Sequence, residues 1–309
     1  MPASSKISST RFIRLAGKVK GKIVTLPLLC VRKNCIRKQL SKTREYKLVV
    51  KKKTELLGMV SHPSLYKSKT APYIDVWCHP YREPDDYLTQ KPRLLLSESD
   101  FVDPQYIHVY KKTDRYDYFY FTMGGRKAKR RKGYGVFMKM LPYLCKKKLR
   151  GLVINYTRKP LDLDRKEKRI WRYSQEFVKY RMKKYTPSKV AKIMASCKFG
   201  IFPNLSDCSP LLVTESLVRS TPVLVNNDIL GGWKYVNENT GVLFTQNNIS
   251  ESIDKILSGT FSPREDFLSK YGFYSSAKKL ADFGRKHLKS FKRCELACFQ
   301  GASHILGQY

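Results

Sequence analysis

Acidic residues are scarce in this chain: 25 aspartates and glutamates face 61 lysines and arginines over 309 residues, a formal net charge of +36. Such a field draws nucleic acid, anionic lipid headgroups or polyphosphate ligands, without naming which. No uninterrupted apolar stretch approaches the ~20 residues needed to span a bilayer. The opening MPASSKISSTRFIRLAGKVKGKIV lacks the compact apolar block of a secretory signal. Together these absences lead to the expectation of a cytoplasmic protein, with peripheral contact at a membrane surface. Residues 1–22 interleave Arg11, Arg14 and Lys18 with Phe12, Ile13 and Leu15, a pattern that suits either a short interfacial helix or a frayed end. The histidines at 62, 79, 108, 287 and 304 show no metal spacing. Of the eight cysteines only 30/35 and 294/298 lie close together, with no second pair to complete a zinc site. They are read as reduced thiols, several of them inside apolar runs. Neither a GxxxxGK[ST] loop nor a G-x-S-x-G elbow occurs, which excludes P-loop and nucleophile-elbow chemistry. Internal repeats and low-complexity tracts are absent too.

Apolar residues make up 42% of the chain, sufficient for ordinary cores, and the length suits two domains. From Lys22 to Lys112 the runs KIVTLPLLCV, YKLVV, YIDVW, RLLLSES and YIHVY are cut by Pro63, Pro72, Pro80, Pro84, Pro92 and Pro104. This predicts a small α/β N-terminal domain of short strands over 1–112. Past Lys111–Arg115 the texture changes. YDYFYFTM reads as a buried strand, followed by a Gly-Gly-basic loop and the apolar-periodic helix GVFMKMLPYLCKKK. GLVINY is the next strand, and the charged 158–185 reads as a helix running into the strand-like VKYRMKKY. KVAKIMASC is a helix opened by Thr186-Pro187-Ser188. Strand GIFPN, helix 210–219, strand PVLVNN and helix ISESIDKIL complete the series. Strands alternating with helices predict an α/β fold, with a doubly wound parallel sheet over 113–285. Residues 275–298 read as helical and basic, and 286–309 as a C-terminal helix or tail that could pack back on the N-terminal domain.

Functional groups gather at the predicted strand ends. Gly124 and Gly125 close the first strand and let backbone amides approach a ligand, while the cations Arg126 to Lys132 supply charge for phosphate oxygens. The turn Asp207-Cys208-Ser209-Pro210-Leu211 follows GIFPN, and the free amides of the helix beginning near Ser209 or Pro210 form an anion site. Asp207 can accept from sugar hydroxyls, and Glu215, inside that helix, from a ribose diol. Taken singly, Asp207 reads as a helix cap and Glu215 as an exposed helix residue. The Gly231-Gly232 turn brings a third strand end to the same crevice. The chemistry is that of a phosphate-bearing ligand with hydroxyls. Asp162-Leu163-Asp164 is too poor in oxygen ligands for a metal site. His79 and His108 are imidazoles that could serve as a base toward an acceptor hydroxyl.

Lys132-Gly133, Asp207-x7-Glu215, Ser220-Thr221-Pro222-Val223-Leu224, Gly231-Gly232 and Thr240-Gly241-Val242-Leu243-Phe244 occur in one order. That order resembles the C-terminal half of a GT-B glycosyltransferase, specifically the group-1 family of retaining, nucleotide-sugar-dependent enzymes. The likeness covers roughly 116–260. The family pattern is E-x7-E, then A-x-G-x-P-V, then G-G-x-x-E. This chain departs from it at Asp207, at Arg219-Ser220-Thr221, at Tyr235, and in an abbreviated N-terminal domain. The resemblance implies a nucleotide-sugar donor, a glycan, lipid or protein acceptor, retention of configuration, and neither a metal nor another cofactor. It implies catalytic roles for Asp207, near the transferred sugar, and Glu215, on the nucleoside ribose. Gly125, Arg126, Lys132, Cys208, Ser209, Pro210, Leu211, Gly231 and Gly232 would line the donor. A non-catalytic basic module of the same fold, binding anionic membrane or, as the lesser expectation, nucleic acid, is the alternative.

Overall fold

A computed structural model describes residues 23–27, 55–60 and 74–288, with 87, 89, 108 and 158 excepted. Contacts divide the chain into two compact units. One comprises the described residues up to Asp103 and from Tyr271 onward, the other Pro104–Lys270.

The first unit carries a four-stranded parallel sheet in the order β1 (Ile23–Pro27), β2 (Glu55–Met59), β3 (Val76–His79), β4 (Arg93–Leu95). β2 was not anticipated, because ELLGM carries a glutamate and a glycine where strand propensity is poor. YKLVV lies outside the described residues. The described residues of YIHVY lie in no strand: Tyr106 closes the 3-10 turn Pro104–Tyr106, and Pro104, lacking an N–H, suits that turn rather than a sheet ladder.

The second unit follows the predicted wind. Its elements are β5 (Tyr116–Thr122), α1 (Arg126–Lys132), α2 (Tyr134–Lys146), β6 (Gly151–Asn155), α3 (Arg165–Ser174), β7 (Val178–Met182), α4 (Pro187–Ala195), β8 (Cys197–Phe202), α5 (Leu211–Val218), β9 (Val223–Asn226), β10 (Gly241–Phe244), α6 (Ile249–Ser258) and α7 (Pro263–Lys270). All six strands are parallel, in the order β10-β9-β8-β5-β6-β7. Burial on both faces explains why β5 reads as a continuous aromatic run. Tyr120 packs on Phe137 of α2 with ring centroids 4.3 Å apart. Local chemistry sets the helix starts. Thr186 and Pro187 open α4, with the Thr186 hydroxyl accepting from the Lys189 amide. Asp164 and Glu167 form a reciprocal capping box on α3, so the helix expected over 158–185 begins only at Arg165.

The last described helix, α8 (Phe273–His287), belongs to the first unit. Its Leu280, Ala281 and Phe283 pack with Leu57, Met59, Val76, Cys78 and Leu96. The Gly272 amide and the Ser276 hydroxyl both bond to the Asp100 carbonyl. The contact boundaries thus fall at Asp103/Pro104 and Lys270/Tyr271, whereas the sequence pattern placed them at 112/113 and 285/286. Residues 289–309 lie outside the described set. Among the described residues no helix is long and apolar enough to cross a membrane.

Candidate active site at the switch point of the second sheet

From β5 the sheet grows one way through β6 and β7 and the other way through β8, β9 and β10. The boundary between β5 and β8 is therefore the switch point, where loops leave the carboxyl ends of adjacent strands in opposite directions and open a crevice.

The β5 side is anchored by β6. The Gly124 amide donates to Asn155 Oδ1 at 3.1 Å and to the Thr157 hydroxyl at 3.0 Å, and the Gly125 amide to the Pro160 carbonyl at 3.0 Å. Asn155 is fully buried, and its side-chain amide donates in turn to the Lys159 carbonyl (2.8 Å) and the Tyr180 hydroxyl (2.9 Å). The cationic run after Gly125 is a helix rather than the expected basic loop: α1 spans Arg126–Lys132 and ends at Gly133 in the left-handed region, φ 67°. Lysine, arginine and alanine are good helix formers, and the glycines flank the run rather than interrupt it. A Cβ on Gly133 would lie 2.0 Å from the Pro203 carbonyl oxygen, so glycine is what lets the end of α1 close on the end of β8. The Tyr120 hydroxyl donates to the Lys132 carbonyl at 2.7 Å. Burial pushes that hydroxyl far above its ordinary pKa, which keeps it a donor.

Across the crevice stands Asp207. Its Oδ2 lies 3.7 Å from Lys132 Nζ, and the two side chains are 24% and 16% exposed. Asn204 Nδ2 donates to the same oxygen at 3.1 Å, and the Ser209 amide approaches Oδ1 at 3.4 Å. The Asp207 backbone carbonyl accepts from the Gly231 amide at 2.9 Å, tying the Gly-Gly turn after β9 to the same loop. Gly232 has φ 94°, and a Cβ there would meet Pro210 at 2.5 Å. Cys208 and Pro210 are buried, Ser209 is half-buried, and Leu211 is exposed at the first position of α5. Lys132, Asp207, Cys208, Ser209, Pro210, Gly231 and Gly232 thus form one group, drawn from the end of α1 and from the loops that follow β8 and β9.

Two predicted residues stand differently. Arg126, at the opposite end of α1 from Lys132, is 93% exposed at its side chain, with Nε 3.5 Å from Asp162 Oδ2. Glu215, in the second turn of α5, is half-buried and pairs with Arg219: Nη1 lies 3.2 Å from Oε2 and donates to the Glu215 backbone carbonyl at 2.8 Å. Burial pushes the Glu215 carboxyl up from its ordinary value, and the Arg219 charge and hydrogen bond oppose that rise.

Of the remaining motifs, Asp164 caps α3. His79 is buried in β3, its ring stacked 6.2 Å from that of Tyr81, and His108 lies outside the described residues. Among the described residues no group of three or more His, Cys, Asp or Glu is placed to hold a metal ion. Tyr235 is a core residue, edge-on to Phe267 at 5.6 Å. Sequence reasoning gave Asn155 no role and met Arg219 only as a departure from the family pattern. A lone asparagine closing the buried strand GLVIN and an arginine four residues after Glu215 were the available signals.

No protein-family model and no curated protein sequence matches the chain. Solved structures do. A mutant of S. aureus TarM, in complex with fondaparinux, alpha-GlcNAc-glycerol and UDP, is similar with a TM-score of 0.60 at 14% identity, covering 80% of this chain. This chain spans only 53% of TarM's length. Sucrose-phosphate synthase from Thermosynechococcus elongatus matches with a TM-score of 0.60 at 12% identity, over 93% of this chain and 80% of that one. The lipopolysaccharide outer core galactosyltransferase WaaB matches with a TM-score of 0.59 at 12% identity, over 91% and 79%. At such identities the likeness is one of fold. The chain has the α/β fold of the GT-B glycosyltransferases.

Proposed function

We propose that the chain is a glycosyltransferase that moves a sugar from a nucleotide-diphosphate donor to an acceptor hydroxyl, with retention and without a required metal. The observation that carries this reading is the meeting of Lys132 and Asp207 at the switch point. Transfer breaks the bond between the sugar's anomeric carbon and the diphosphate and forms one to the acceptor oxygen. Negative charge grows on the departing diphosphate, whose oxygen takes up the proton that the acceptor hydroxyl releases. Lys132 and the positive end of the α5 dipole are positioned to meet that charge. Asp207 accepts from hydroxyls of the transferred sugar, and Glu215 from the nucleoside ribose. Gly125, Ser209, Pro210 and the Gly231-Gly232 turn shape the walls, and Arg126 adds charge at the rim. HepE from Anabaena, a neighbour of TM-score 0.56 at 11% identity, was solved with UDP, as was the TarM mutant, so UDP-sugars are the first donors to try. The acceptor would be a glycan, lipid or protein hydroxyl.

The experiment is a donor screen. UDP- and GDP-sugars are added to the full chain and thermal unfolding is followed, since a bound ligand raises apparent stability by mass action. One donor class is expected to stabilise the wild type, and Lys132→Ala to lose the effect. Absence of stabilisation by every donor sinks the enzyme reading.

The cation field favours a second reading, a basic module without catalysis. Arg165, Lys166, Lys168 and Arg169 of α3, with Lys179 and Arg181 of β7, are all exposed and form no ion pair among the described residues. Exposed cations of this kind suit anionic membrane and, secondarily, nucleic acid. Salt separates the two readings: polyanion binding falls steeply with ionic strength, whereas donor binding in a sheltered crevice is screened less.

A further inference from the structure

Arg219 takes no part in the transfer proposed above. The family resemblance puts a small residue there, yet this chain buries an arginine with only 6% of its side chain exposed. It sits four residues after Glu215, one helical turn on and on the same face. Its Nη1 touches that residue twice, at Oε2 and at the backbone carbonyl. Burying a guanidinium is costly, and an apolar side chain of similar volume packs such a position as well or better. Packing alone therefore does not explain an arginine here.

We infer that Arg219 is a positioning residue that holds the Glu215 carboxylate aimed and ionised for the hydroxyls of the donor's ribose. The inference rests on the reading of Glu215 as the ribose acceptor. An ionised carboxylate accepts from both hydroxyls of a diol, whereas its protonated form loses acceptor capacity on one oxygen. Burial alone favours the protonated form, and Arg219 opposes it. Other charged or titratable groups stand near the pair among the described residues. Tyr110 acts on Arg219, Lys192 of α4 stands over the Tyr110 ring at 5.2 Å, and Arg264 of α7 bonds to the Val218 carbonyl next to Arg219. Lys112 is bound to Thr221 two residues on, at 3.0 Å. Arg219 is the one group that bonds to the Glu215 carboxylate among these.

The test is calorimetric titration of the full chain with UDP and with GDP from pH 6.0 to 8.5, on wild type, Arg219→Met, Arg219→Lys and Glu215→Gln. Losing an opposite charge at this range favours the protonated carboxyl further. Arg219→Met is therefore expected to bind about tenfold more weakly at pH 6.0, with the gap closing towards pH 8.5 as Glu215 ionises. Arg219→Lys should restore most of the affinity throughout. Should Arg219→Met fail to fold, Arg219→Gln keeps the length and removes the charge for the same comparison. A loss that is equal at every pH, or no loss, overturns the inference. If Glu215→Gln binds like the wild type, the reading of Glu215 falls and takes the inference with it. If Glu215→Gln is weak while Arg219→Met matches the wild type, the inference alone falls. A wild type that binds neither nucleotide overturns both.

Discussion

Replacing Lys132 with alanine removes the cation that stands opposite Asp207. Their 3.7 Å separation is too long for a strong hydrogen bond, so the pair is mainly electrostatic and Lys132 can turn to a phosphate oxygen. At that distance and an effective dielectric near 20, the gross attraction is about 4 kcal/mol. Exchange with water leaves a net value of about 1.5–3 kcal/mol for a hydrogen bond to a charged group. Lys132→Ala should therefore weaken UDP binding by about 10- to 100-fold. Asp207→Asn should behave oppositely towards the nucleotide. It removes a negative charge from beside the diphosphate and frees Lys132, so UDP binds as well as in wild type or a few-fold tighter while sugar transfer collapses. Because the two residues share one interaction, the double variant should be non-additive. Calorimetry with UDP and a transfer assay on the four proteins test this. The reasoning is refuted if folded Lys132→Ala binds UDP like wild type, or if Asp207→Asn weakens UDP as Lys132→Ala does.

Gly133→Ala should destabilise by about 2–5 kcal/mol, combining the left-handed backbone with the clash at the Pro203 carbonyl; an unchanged Tm contradicts the close approach. Asn155→Ala leaves the Gly124 amide only its bond to Thr157 and the Lys159 carbonyl only the longer bond, 3.4 Å, from the Thr157 hydroxyl. A loss of about 1–3 kcal/mol is expected, read by denaturant unfolding, with a fall in kcat as the Gly124-Gly125 turn loosens. Ser220 has φ 55°, so Ser220→Gly should gain about 0.5–1 kcal/mol once glycine's greater unfolded freedom is discounted. That gain appears as a Tm rise of a few degrees, and a fall would contradict it.

How legible each part was depended on how its signal is made. β5, β6, β8 and β9 are buried almost throughout, so apolar runs announced them. β10 has four residues, GVLF, too short to declare itself between two turns, although the Thr240 to Phe244 motif contained it. α1 carries no apolar periodicity, because its run Arg126–Lys132 holds a single alanine among six cations. Its cations therefore read as a loop, and only the flanking glycines hinted otherwise. Asn155 was hidden because an asparagine ending a strand looks like turn chemistry until its partners are known. The meeting of Lys132 with Asp207 was inferable in outline, since strand ends in a parallel sheet converge. Its distance depends on β5 and β8 being neighbours, which no local pattern states.

The helix over 126–132 also separates the two cations that the resemblance assigned to one diphosphate. Six residues of α-helix advance ~9 Å along the axis, so Arg126 and Lys132 leave α1 from opposite ends. Lys132 is sheltered, with its carbonyl held by Tyr120 and its ammonium facing Asp207. Arg126 is solvated beside Asp162, and a solvated cation is screened by salt and contributes little in a fixed position. Affinity for a diphosphate should accordingly respond far more to Lys132 than to Arg126. Raising ionic strength should erase the effect of Arg126→Ala on UDP binding while leaving most of the effect of Lys132→Ala. Equal effects of the two substitutions at high salt would mean that both cations sit in the crevice when the donor is bound, and that α1 rearranges to put them there.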